Sequence, residues 1–499
     1  MSPRANETGP EIDFSSRVRE HLAGWGLRSF SSEAAYYAWQ QQALTSEQLQ
    51  LLTDLAKRRQ GEDGPKWDQA FYDLAAHPDI LPVLYSQRFG YYEQVGVAIA
   101  QRLLAFSSHV SILDVGCGVG ILTTWYASVF PHLQFRGIDR SPQSIVAAKQ
   151  YAAGLQLPNV DFSCVTVSPD VAPGQYDGII ATQALFQSEV DPGIPSQSWR
   201  SFERAQDLSL LLAAEERTGL GTRLDGLLKN LKPHTILLLL EKTLHLGRRV
   251  LFQRALMRRG FGQRQQAKYL HYHNLGELET EGPLYVVSRE QPWVVEWDES
   301  PHTTPGDGLY RSRDQAARFI YSRVTPGQEQ ELWSARIHGR SLSGVVSTIA
   351  GGLTLGCLKE GPSVLGVIVG GAADGMAIQH LLINLRDQVP QSDSIDQLCA
   401  HLVPTHVDAG PVELLPMYEN HTSVAQRVWA DLAGRQVTRS ETSEAPGGKA
   451  RYIELGTCLG EWVYVYWANT YDQRQLVMMD AARKSLLEEY FEESVRQPC

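Results

Sequence analysis

The chain lacks two features that would set its class at once: a regular array of cysteines and a long apolar run. Its cysteines are scattered and form no C-x-x-C pair, which argues against a disulfide framework and a structural zinc site. They are Cys117, Cys164, Cys357, Cys399, Cys458 and Cys499. No apolar stretch reaches the roughly 18 residues of a membrane span, and Met1–Pro10 is too polar for a signal peptide. We expect a cytoplasmic protein with reduced thiols and no membrane association.

A surplus of basic residues is also missing. The 499 residues include 45 Lys and Arg against 56 Asp and Glu, a formal net charge of −11. This acidic balance argues against general affinity for nucleic-acid phosphates, so we expect no nucleic-acid partner. Hydrophobic residues make up 43% and charged residues 20% of the chain, as in an ordinary globular protein, and the length allows two or three domains.

One stretch organises the rest of the sequence, Ser111–Gly120, which reads SILDVGCGVG. A short apolar run that carries one carboxylate, Asp114, leads into three alternating glycines. The pattern is typical of a buried parallel strand that enters a tight turn beneath a ligand, because glycine tolerates φ > 0 and has no Cβ in the way. Position 121 is Ile, so the spacing is G-x-G-x-G and the dinucleotide fingerprint G-x-G-x-x-G is not met.

The stretch resembles motif I of the class I S-adenosylmethionine (SAM)-dependent methyltransferases, an acidic residue followed by x-G-x-G-x-G. The residues that follow agree with that family. Gln134–Asp139 reads as a second strand ending in an acid, about 20 residues past the glycines, where a carboxylate can accept both ribose hydroxyls of a nucleoside. Ser141 and Pro142 supply an N-cap and a proline at the first helical position. The resemblance covers about residues 85–290 and implies SAM as the cofactor.

The resemblance also implies which residues hold SAM. The methionine end would meet Asp114 and the glycine backbone, and the ribose would meet Asp139. A structural alternative for Asp114 is that its carboxylate caps N–H groups of the glycine turn, and both roles can hold. The family often places an acid after strand three for the adenine amino group, but this chain has Val165–Ser168 there, so Ser168, a backbone group or Asp170 could serve. The predicted cofactor-binding set is Asp114, Gly116, Cys117, Gly118, Gly120, Asp139, Arg140, Ser168 and Thr182.

Alternation of strand-like and helical segments up to about residue 290 predicts an α/β fold with a doubly wound, mainly parallel sheet. Residues 1–12 read as disordered and 13–104 as an N-terminal helical lid, or equally as helices that buttress the sheet. Residues 105–292 would form the SAM-binding domain. Residues 293–499 predict a C-terminal α+β domain. Each half of that domain reads as helix, three strands and helix, which suggests a degenerate duplication.

In an open α/β sheet, ligands bind beyond the carboxyl ends of the strands. The predicted parallel strands are 111–115, 134–139, Val160–Val167, Tyr176–Thr182 and Ile236–Glu241. A final antiparallel pair is predicted at Gln263–His273 and Pro283–Ser288. This order brings the glycine turn, Asp139 and the residues after Thr182 around one crevice.

Methyl transfer is an in-line displacement, so the protein must align donor and acceptor and exclude water. A hydroxyl or carbon acceptor usually needs a general base, whereas a neutral amine can do without one. His271 and His273 share one face of a strand, where a base or a two-His metal clip is conceivable, although a structural or exposed pair is commoner. We predict His273, Glu189 and Tyr92 as catalytic residues and no metal. Further acceptor-side candidates are Gln183, Phe186, Asp191, Tyr91 and Glu241.

The predicted function is therefore methyl transfer from SAM to an O or N nucleophile of a small-molecule or peptide-like metabolite. A dedicated lid suits an enclosed pocket for such an acceptor. A second hypothesis is a protein methyltransferase whose C-terminal domain grips the protein substrate. A third, from another class, is a non-catalytic SAM-binding scaffold. The C-terminal domain could shape the acceptor site or form a homo-oligomer interface.

Overall fold

The structure of the protein is a computed structural model, and its chain divides into two compact units. The first comprises Met1–Glu189, Glu216–Thr243 and Ala255–Trp297, and the second Val190–Glu215, Leu244–Arg254 and Asp298–Cys499. The described residues are 13–59, 64–170, 174–187, 191–199, 201, 203–229, 231–300, 328–337, 340–349, 353–361, 363–370, 379–380, 382–383, 386, 417–420, 434–458, 462–472, 474–481 and 484–497. The segment 1–12, predicted to be disordered, lies outside them.

Eight strands form the sheet of the first unit. They are β1 Ser111–Val115, β2 Gln134–Asp139, β3 Val160–Cys164, β4 Gly178–Thr182, β5 Ile236–Leu240, β6 Gly262–Gln263, β7 Lys268–Asn274 and β8 Glu277–Ser288. Their order is β3-β2-β1-β4-β5-β8-β6, with β7 paired to β8. The first five are parallel. The order reverses between β1 and β4, and such a reversal is where ligands bind in doubly wound sheets.

The predicted bounds of β1 and β2 are confirmed, but β3 is shorter than predicted. It ends at Cys164, which pairs with Asp139 at the end of β2. The Val165 N–H still donates to the Asp139 carbonyl at 2.9 Å, but β2 ends at Asp139, so residues 166 and 167 leave the ladder. The apolar sequence of β1 follows from its position, because a strand covered on both faces buries all its side chains.

The hairpin of β7 and β8 extends past the sheet edge that carries the carboxyl ends. Leu240, the last residue of β5, pairs with Leu284 in an antiparallel register. The earlier part of β8, which pairs with β7 from Leu270↔Glu281 to Asn274↔Glu277, therefore lies beyond the carboxyl end of β5. The sequence predicts an antiparallel pair here, but with other bounds: the predicted strand Gln263–His273 is divided into β6 and β7, and β8 begins at Glu277 rather than at Pro283.

Six helices precede the sheet, as the helical pattern of residues 13–104 predicts. They are α1 Phe14–Gly24, α2 Glu33–Ala43, α3 Ser46–Arg59, α4 Gly64–Ala75, α5 Leu81–Ser86 and α6 Phe89–Leu103. The capping box before α3 has the Thr45 N–H donating to Gln48 Oε1 at 2.9 Å and the Gln48 N–H donating to Thr45 Oγ1 at 3.2 Å. Val18 of α1 and Val95 of α6 are fully buried in one core with Ile112 of β1.

The remaining helices of the α/β pattern lie between or after the parallel strands. They are α7 Ile121–Val129, α8 Pro142–Gly154, α9 Leu208–Arg217, α10 Leu220–Leu228 and α11 Leu246–Arg258. Ser141 caps α8 by accepting a hydrogen bond from the Ser144 N–H, and Pro142 occupies the first turn. The predicted α/β fold class is confirmed. Among the described helices, none is long and apolar enough to cross a membrane.

Besides most of α9 and α11, the described residues of the second unit form two antiparallel sheets and a C-terminal helix. Their elements are β9 Gln330–Ile337, β10 Arg340–Ile349, β11 Leu353–Glu360, β12 Ser363–Gly370, β13 Met417–Asn420, β14 Gln436–Ala445, β15 Lys449–Cys458, β16 Trp462–Asn469, β17 Arg474–Asp480 and α12 Lys484–Arg496. The orders are β12-β11-β10-β9 and β13-β17-β16-β15-β14. The sequence predicts three strands in each half, and the structure has four and five. Tyr464 and Val465 are both buried, so β16 is covered on both faces.

Candidate functional site

The glycine turn follows β1 directly. Gly116, Gly118 and Gly120 have φ of +70°, +54° and +81°, in the region that favours glycine. A Cβ on Gly116 would lie 2.5 Å from the Cβ of Ala184, and one on Gly120 would come within 3.0 Å of α8. A Cβ on Gly118 would meet only Tyr85 Oη, at 3.9 Å. Packing therefore requires Gly116 and Gly120, whereas Gly118 leaves the backbone of the turn accessible.

Asp114 lies buried beneath this turn. Its Oδ2 accepts a hydrogen bond from Thr123 Oγ1 at 2.5 Å. Burial raises the pKa of Asp114 to about 7, against the opposing effect of the Thr123 bond. The N–H groups of Gly116 and Cys117 donate to the Ile138 carbonyl at 2.8 and 3.1 Å, so they are satisfied by β2 rather than by Asp114. Because its pKa is raised to about 7, the Asp114 carboxyl group changes its charge near neutral pH.

Asp139 ends β2 beside the glycine turn. Its Oδ2 accepts from the Gly118 N–H at 3.0 Å, and its Oδ1 accepts from the Ser141 N–H at 2.8 Å. Burial raises the pKa of Asp139, while these two backbone donors act in the opposite direction. The carboxylate is therefore held in one orientation at the carboxyl edge of the sheet.

A cavity of about 540 Å³ lies within the first unit, at the carboxyl ends of the parallel strands. One part is lined by the glycine turn, by Asp139 and Arg140 after β2, and by Val165–Val167 after β3; we call it the turn side. The other part is lined by Gln183 after β4, by Lys242 after β5, and by residues of the β7–β8 hairpin; we call it the hairpin side. The crevice that the sequence predicts thus exists as one continuous space.

Helices α3 and α4 close the turn side. Asp68 of α4 forms ion pairs with Arg59 Nε at 2.7 Å and Arg140 Nη2 at 2.8 Å. Asp73, on the same helix, accepts a hydrogen bond from Ser141 Oγ at 2.6 Å. These contacts fasten α4 to the loop that follows β2.

Three polar side chains form a chain of hydrogen bonds across the hairpin side. Arg88 Nη2 donates to Gln183 Oε1 at 2.9 Å, and Gln183 Nε2 donates to Glu281 Oε2 at 2.8 Å. The Arg88 guanidinium lies over the ring of Tyr91, 3.9 Å from its centroid. Burial raises the pKa of Glu281, and the nearby charges of Arg88 and Lys242 oppose that rise. A neutral amide thus stands between a cation and a carboxylate.

Aromatic residues complete the hairpin side. Tyr272 Oη donates to Glu279 Oε2 at 3.1 Å, and Asn274 Nδ2 donates to Glu279 Oε1 at 3.0 Å. Tyr92 also lines the cavity, and burial raises its pKa to about 12. The Tyr92 phenol therefore stays protonated at neutral pH and can donate a hydrogen bond there, but it is a poor base.

Most of the predicted cofactor-binding residues line the cavity. They are Asp114, Gly116, Cys117, Gly118, Asp139, Arg140 and Thr182. Gly120 starts α7 beneath the turn and is not part of the lining. Ser168 lies against Gly226, and Asp170 is exposed; neither belongs to the lining. The residues after β3 that reach the cavity are Val165–Val167 instead.

Of the predicted catalytic residues that the structure describes, one lines the cavity and one does not. Tyr92 lines the cavity, and Glu189 lies outside the described residues. His271 and His273 are exposed on β7, whereas Tyr272 between them lines the cavity, because side chains alternate between the faces of a strand. The structure therefore does not place His273 at the site. Within the described part of the chain, no three His, Cys, Asp or Glu side chains are grouped as a metal site requires.

The other acceptor-side candidates divide in the same way. Gln183, Phe186 and Tyr91 line the cavity. Glu241 is buried, and its Oε1 accepts from the N–H groups of residues 184 and 185 at 2.9 and 2.8 Å, so it holds the loop after β4 in place. Asp191 belongs to the second unit, where its Oδ1 accepts from the Gly193 N–H at 2.8 Å.

Sequence reasoning missed seven charged residues of the lining: Arg59, Asp68, Arg88, Arg223, Lys242, Glu279 and Glu281. The missed residues on helices have no local sequence signal. A helical pattern specifies which face of the helix is buried, but not which distant residue that face contacts. The hairpin pair did have a signal. The two glutamates alternate with Leu278 and Thr280, as acids on one face of a strand would.

Comparison with known families agrees with this geometry. The profile of a family described as methyltransferase domain matches residues 112–202. That segment is a class I methyltransferase segment. In this methyltransferase segment lie the glycine turn, Asp139 and Gln183. No curated protein sequence matches the chain.

Solved structures similar to the chain include several methyltransferases. Precorrin-6y C5,15-methyltransferase from Geobacter metallireducens GS-15 is 13% identical, with a TM-score of 0.26, over 39% of this chain and 86% of that one. Magnesium protoporphyrin IX methyltransferase from Synechocystis PCC 6803, with bound SAM, is 14% identical, with a TM-score of 0.28, over 57% and 100%. Ribosomal protein L11 methylase from Lactobacillus delbrueckii subsp. bulgaricus is 16% identical, with a TM-score of 0.25, over 40% and 80%. Similarity at this level carries no conclusion about cofactor or acceptor.

Proposed function

We propose that the protein is a SAM-dependent methyltransferase that acts on an O or N nucleophile of a small-molecule or peptide-like metabolite. One observation carries the proposal: a single cavity joins the glycine turn and Asp139 to a polar cluster around Gln183. The turn side would hold the methyl donor, and the hairpin side the acceptor. The continuity of the cavity allows the two ligands to meet, as an in-line displacement requires.

The residues of the turn side fit SAM. Asp139 presents an oriented carboxylate for the ribose hydroxyls, and the open backbone at Gly118 allows close approach. Asp114 would favour the cationic methionine end once its carboxyl group is ionised. Val165–Val167 offer apolar and backbone contacts for the adenine, in place of the missing acid. SAM supplies an electrophilic methyl group when bound; the protein's part is to align the partners and exclude water.

A small acceptor suits the size of the cavity, which lies in the range of ligand sites, about 300–1,000 Å³. The free thiols of Cys117, Cys164 and Cys357 suit a reducing compartment such as the cytoplasm. A protein methyltransferase remains the second hypothesis, with a substrate side chain entering the hairpin side. A SAM-binding scaffold would bind SAM without methyl transfer to any metabolite or protein.

Calorimetric titration with S-adenosylhomocysteine (SAH), the demethylated product of SAM, tests the cofactor assignment. Asp139→Asn should weaken SAH binding by ~1–3 kcal/mol, because the variant loses charged hydrogen bonds to the ribose. Asp161→Asn is the matched control, since Asp161 is an exposed acid on the neighbouring strand. Absence of SAH binding to the wild-type protein at high micromolar concentration would sink the proposal. Equal affinity of the folded Asp139 variant and the wild type would reject the ribose role.

Incubation with isotopically labelled SAM then separates the functional classes. Transfer of label from SAM to low-molecular-weight compounds of a cell extract supports a metabolite acceptor. Transfer to protein supports the second hypothesis. SAH binding without labelling of either fraction favours the scaffold.

A further inference from the structure

We propose that the acceptor carries a carboxylate and that Arg88 binds it. The inference rests on the proposed function and names the chemical class of the acceptor. Arg88 precedes α6 and lines the hairpin side of the cavity. Three observations support this assignment: the lack of a contact ion pair at Arg88 among the described residues, the way Gln183 holds its guanidinium, and the aromatic surface around it.

Arg88 is a half-buried cation without a contact ion pair. Its contacts are one hydrogen bond to the neutral amide of Gln183 and the stacking over Tyr91. Among the described residues, no carboxylate lies within ion-pair distance of its guanidinium. A guanidinium has five N–H donors in a planar fork and stays charged at any physiological pH. Arg88 therefore keeps donors available to a ligand in the cavity.

Two of the other arginines that line the cavity have an ion-pair partner, whereas Arg223 donates to the Leu185 carbonyl at 3.2 Å and has no carboxylate within ion-pair distance among the described residues. Arg59 and Arg140 share the carboxylate of Asp68. Arg102, also on α6, lies outside the cavity lining and donates to the Ala98 carbonyl within its own helix, at 2.8 Å. Partial burial of a cation is costly unless an anion or a full set of acceptors faces it. A carboxylate bound in the cavity would provide that anion for Arg88.

Gln183 separates Arg88 from Glu281, so these two charges act on each other across the amide and not as a contact ion pair. Its amide accepts from Arg88 and donates to Glu281, so its orientation is fixed by both bonds. Gln183 has a backbone φ of +53°, a left-handed conformation that residues other than glycine rarely adopt. The interposed amide keeps the cation and the carboxylate apart. Both charges thus face a ligand, and an acceptor with a carboxylate at Arg88 could present an amine or hydroxyl to Glu281.

The surroundings favour a compact aromatic acceptor. Tyr91 and Tyr272 line the same side of the cavity and pack edge to face, with ring centroids 6.1 Å apart. Phe186 lines the cavity from the loop after β4. Planar rings with a carboxylate, such as benzoate-like acids, match a guanidinium set among aromatic side chains.

The test uses the full chain saturated with SAH and two small probes, benzoate and its neutral analogue benzamide, at millimolar concentration. Thermal unfolding and calorimetry measure the binding of each probe. We expect benzoate to raise the melting temperature and benzamide to have little effect. Arg88→Gln should weaken benzoate binding roughly tenfold or more, because a charged hydrogen bond is lost. Arg102→Gln, on the same helix, should bind benzoate like the wild type.

SAH affinity, measured separately for each variant, distinguishes the two possible sources of the carboxylate. An Arg88→Gln variant that loses benzoate but binds SAH within about twofold of the wild type, a difference of roughly 0.4 kcal/mol, supports the proposal. A large loss of SAH affinity would assign Arg88 to the methionine carboxylate of the donor and overturn it. Equal binding of benzoate and benzamide, or no benzoate binding, would also overturn it. Failure of SAH to bind the wild type would instead defeat the proposed function.

Discussion

The turn side of the cavity is lined largely by backbone, and the hairpin side by side chains. The turn side consists largely of backbone from consecutive strand–helix turns, with Gly116 and Gly118 exposing peptide groups and Asp139 held by two N–H donors. The hairpin side is made of side chains from distant segments, and its central chain joins residues 88, 183 and 281. Substitution can therefore re-specify the hairpin side, whereas the turn side tolerates few changes. A constant donor with a variable acceptor would suit such a division.

Gly116→Ala should have the largest effect, because it changes the backbone conformation and packing of the glycine turn on the turn side. A left-handed conformation costs a non-glycine residue ~1–2 kcal/mol, and the crowding against Ala184 adds ~1–3 kcal/mol. Denaturant unfolding and SAH titration should both show a loss.

Gly154→Ala is the control for this substitution. Gly154 ends α8, and a Cβ there would meet nothing within 4 Å among the described residues. Its stability should be unchanged or slightly increased, by up to ~1 kcal/mol. Equal behaviour of the two alanine variants would contradict the packing argument for the turn.

Asp114→Asn should remove a pH dependence from the turn side. Burial raises the pKa of Asp114 to about 7, above the ordinary value of 3.8. The folded protein therefore binds this proton more tightly than the unfolded chain, and stability should fall as pH rises from about 4 to about 7. If the ionised carboxylate binds the methionine ammonium, SAH affinity should drop up to about tenfold per pH unit below 7.

Titrations of SAH from pH 5 to pH 8 with both proteins check this prediction. The asparagine variant keeps an oxygen for Thr123 but cannot ionise, so its affinity and stability should depend less on pH. A wild-type affinity that is flat across this range would rule out a charge-dependent role for Asp114.

Asp68→Asn should have an intermediate effect. It removes the shared partner of Arg59 and Arg140, which are largely shielded from solvent, and should reduce stability by ~1–2 kcal/mol. Because α4 closes the turn side, dissociation of SAH should also become faster, measurable by stopped-flow displacement. Asp54→Asn, an exposed acid on α3, provides the comparison. Unchanged SAH dissociation from the Asp68 variant would show that α4 does not retain the ligand.

His273→Ala should have the smallest effect. The side chain is exposed and lies on the face of β7 opposite Tyr272, so stability should change by no more than ~0.5 kcal/mol. Labelling of acceptor by SAM should persist at the wild-type rate. A strong loss of labelling with intact SAH binding would restore His273 as a catalytic candidate.

The features that can be predicted are those that depend on residues close together in the sequence. The bounds of β1 and β2, the capping box at Thr45 and the helix start at Ser141 follow from neighbours in the chain. The end of β3 was not predictable, because it depends on where β2 ends beside it. In the C-terminal region the sequence pattern predicts strands, but the described residues hold one strand more than predicted in the first half and two more in the second.

The prediction of His273 as a catalytic residue does not match the cavity lining. His273 was chosen for its chemistry, but its exposure depends on which face of β7 turns outward, and that is set by α6 packing on the other face. Glu281, on the paired strand, lines the cavity instead. Side-chain chemistry is visible in a sequence, whereas the direction a strand face points is decided by what packs on it.

The sequence by itself determined the glycine turn, Asp114, Asp139 and the α/β alternation, because a turn of alternating glycines at the end of a buried strand needs only local geometry. Only the tertiary structure decided the hairpin side of the cavity. It brought Arg88, Gln183 and Glu281 into one hydrogen-bonded chain, although 95 and 98 residues separate the successive members. Contacts over such separations depend on how helices and strands pack, which no local pattern encodes.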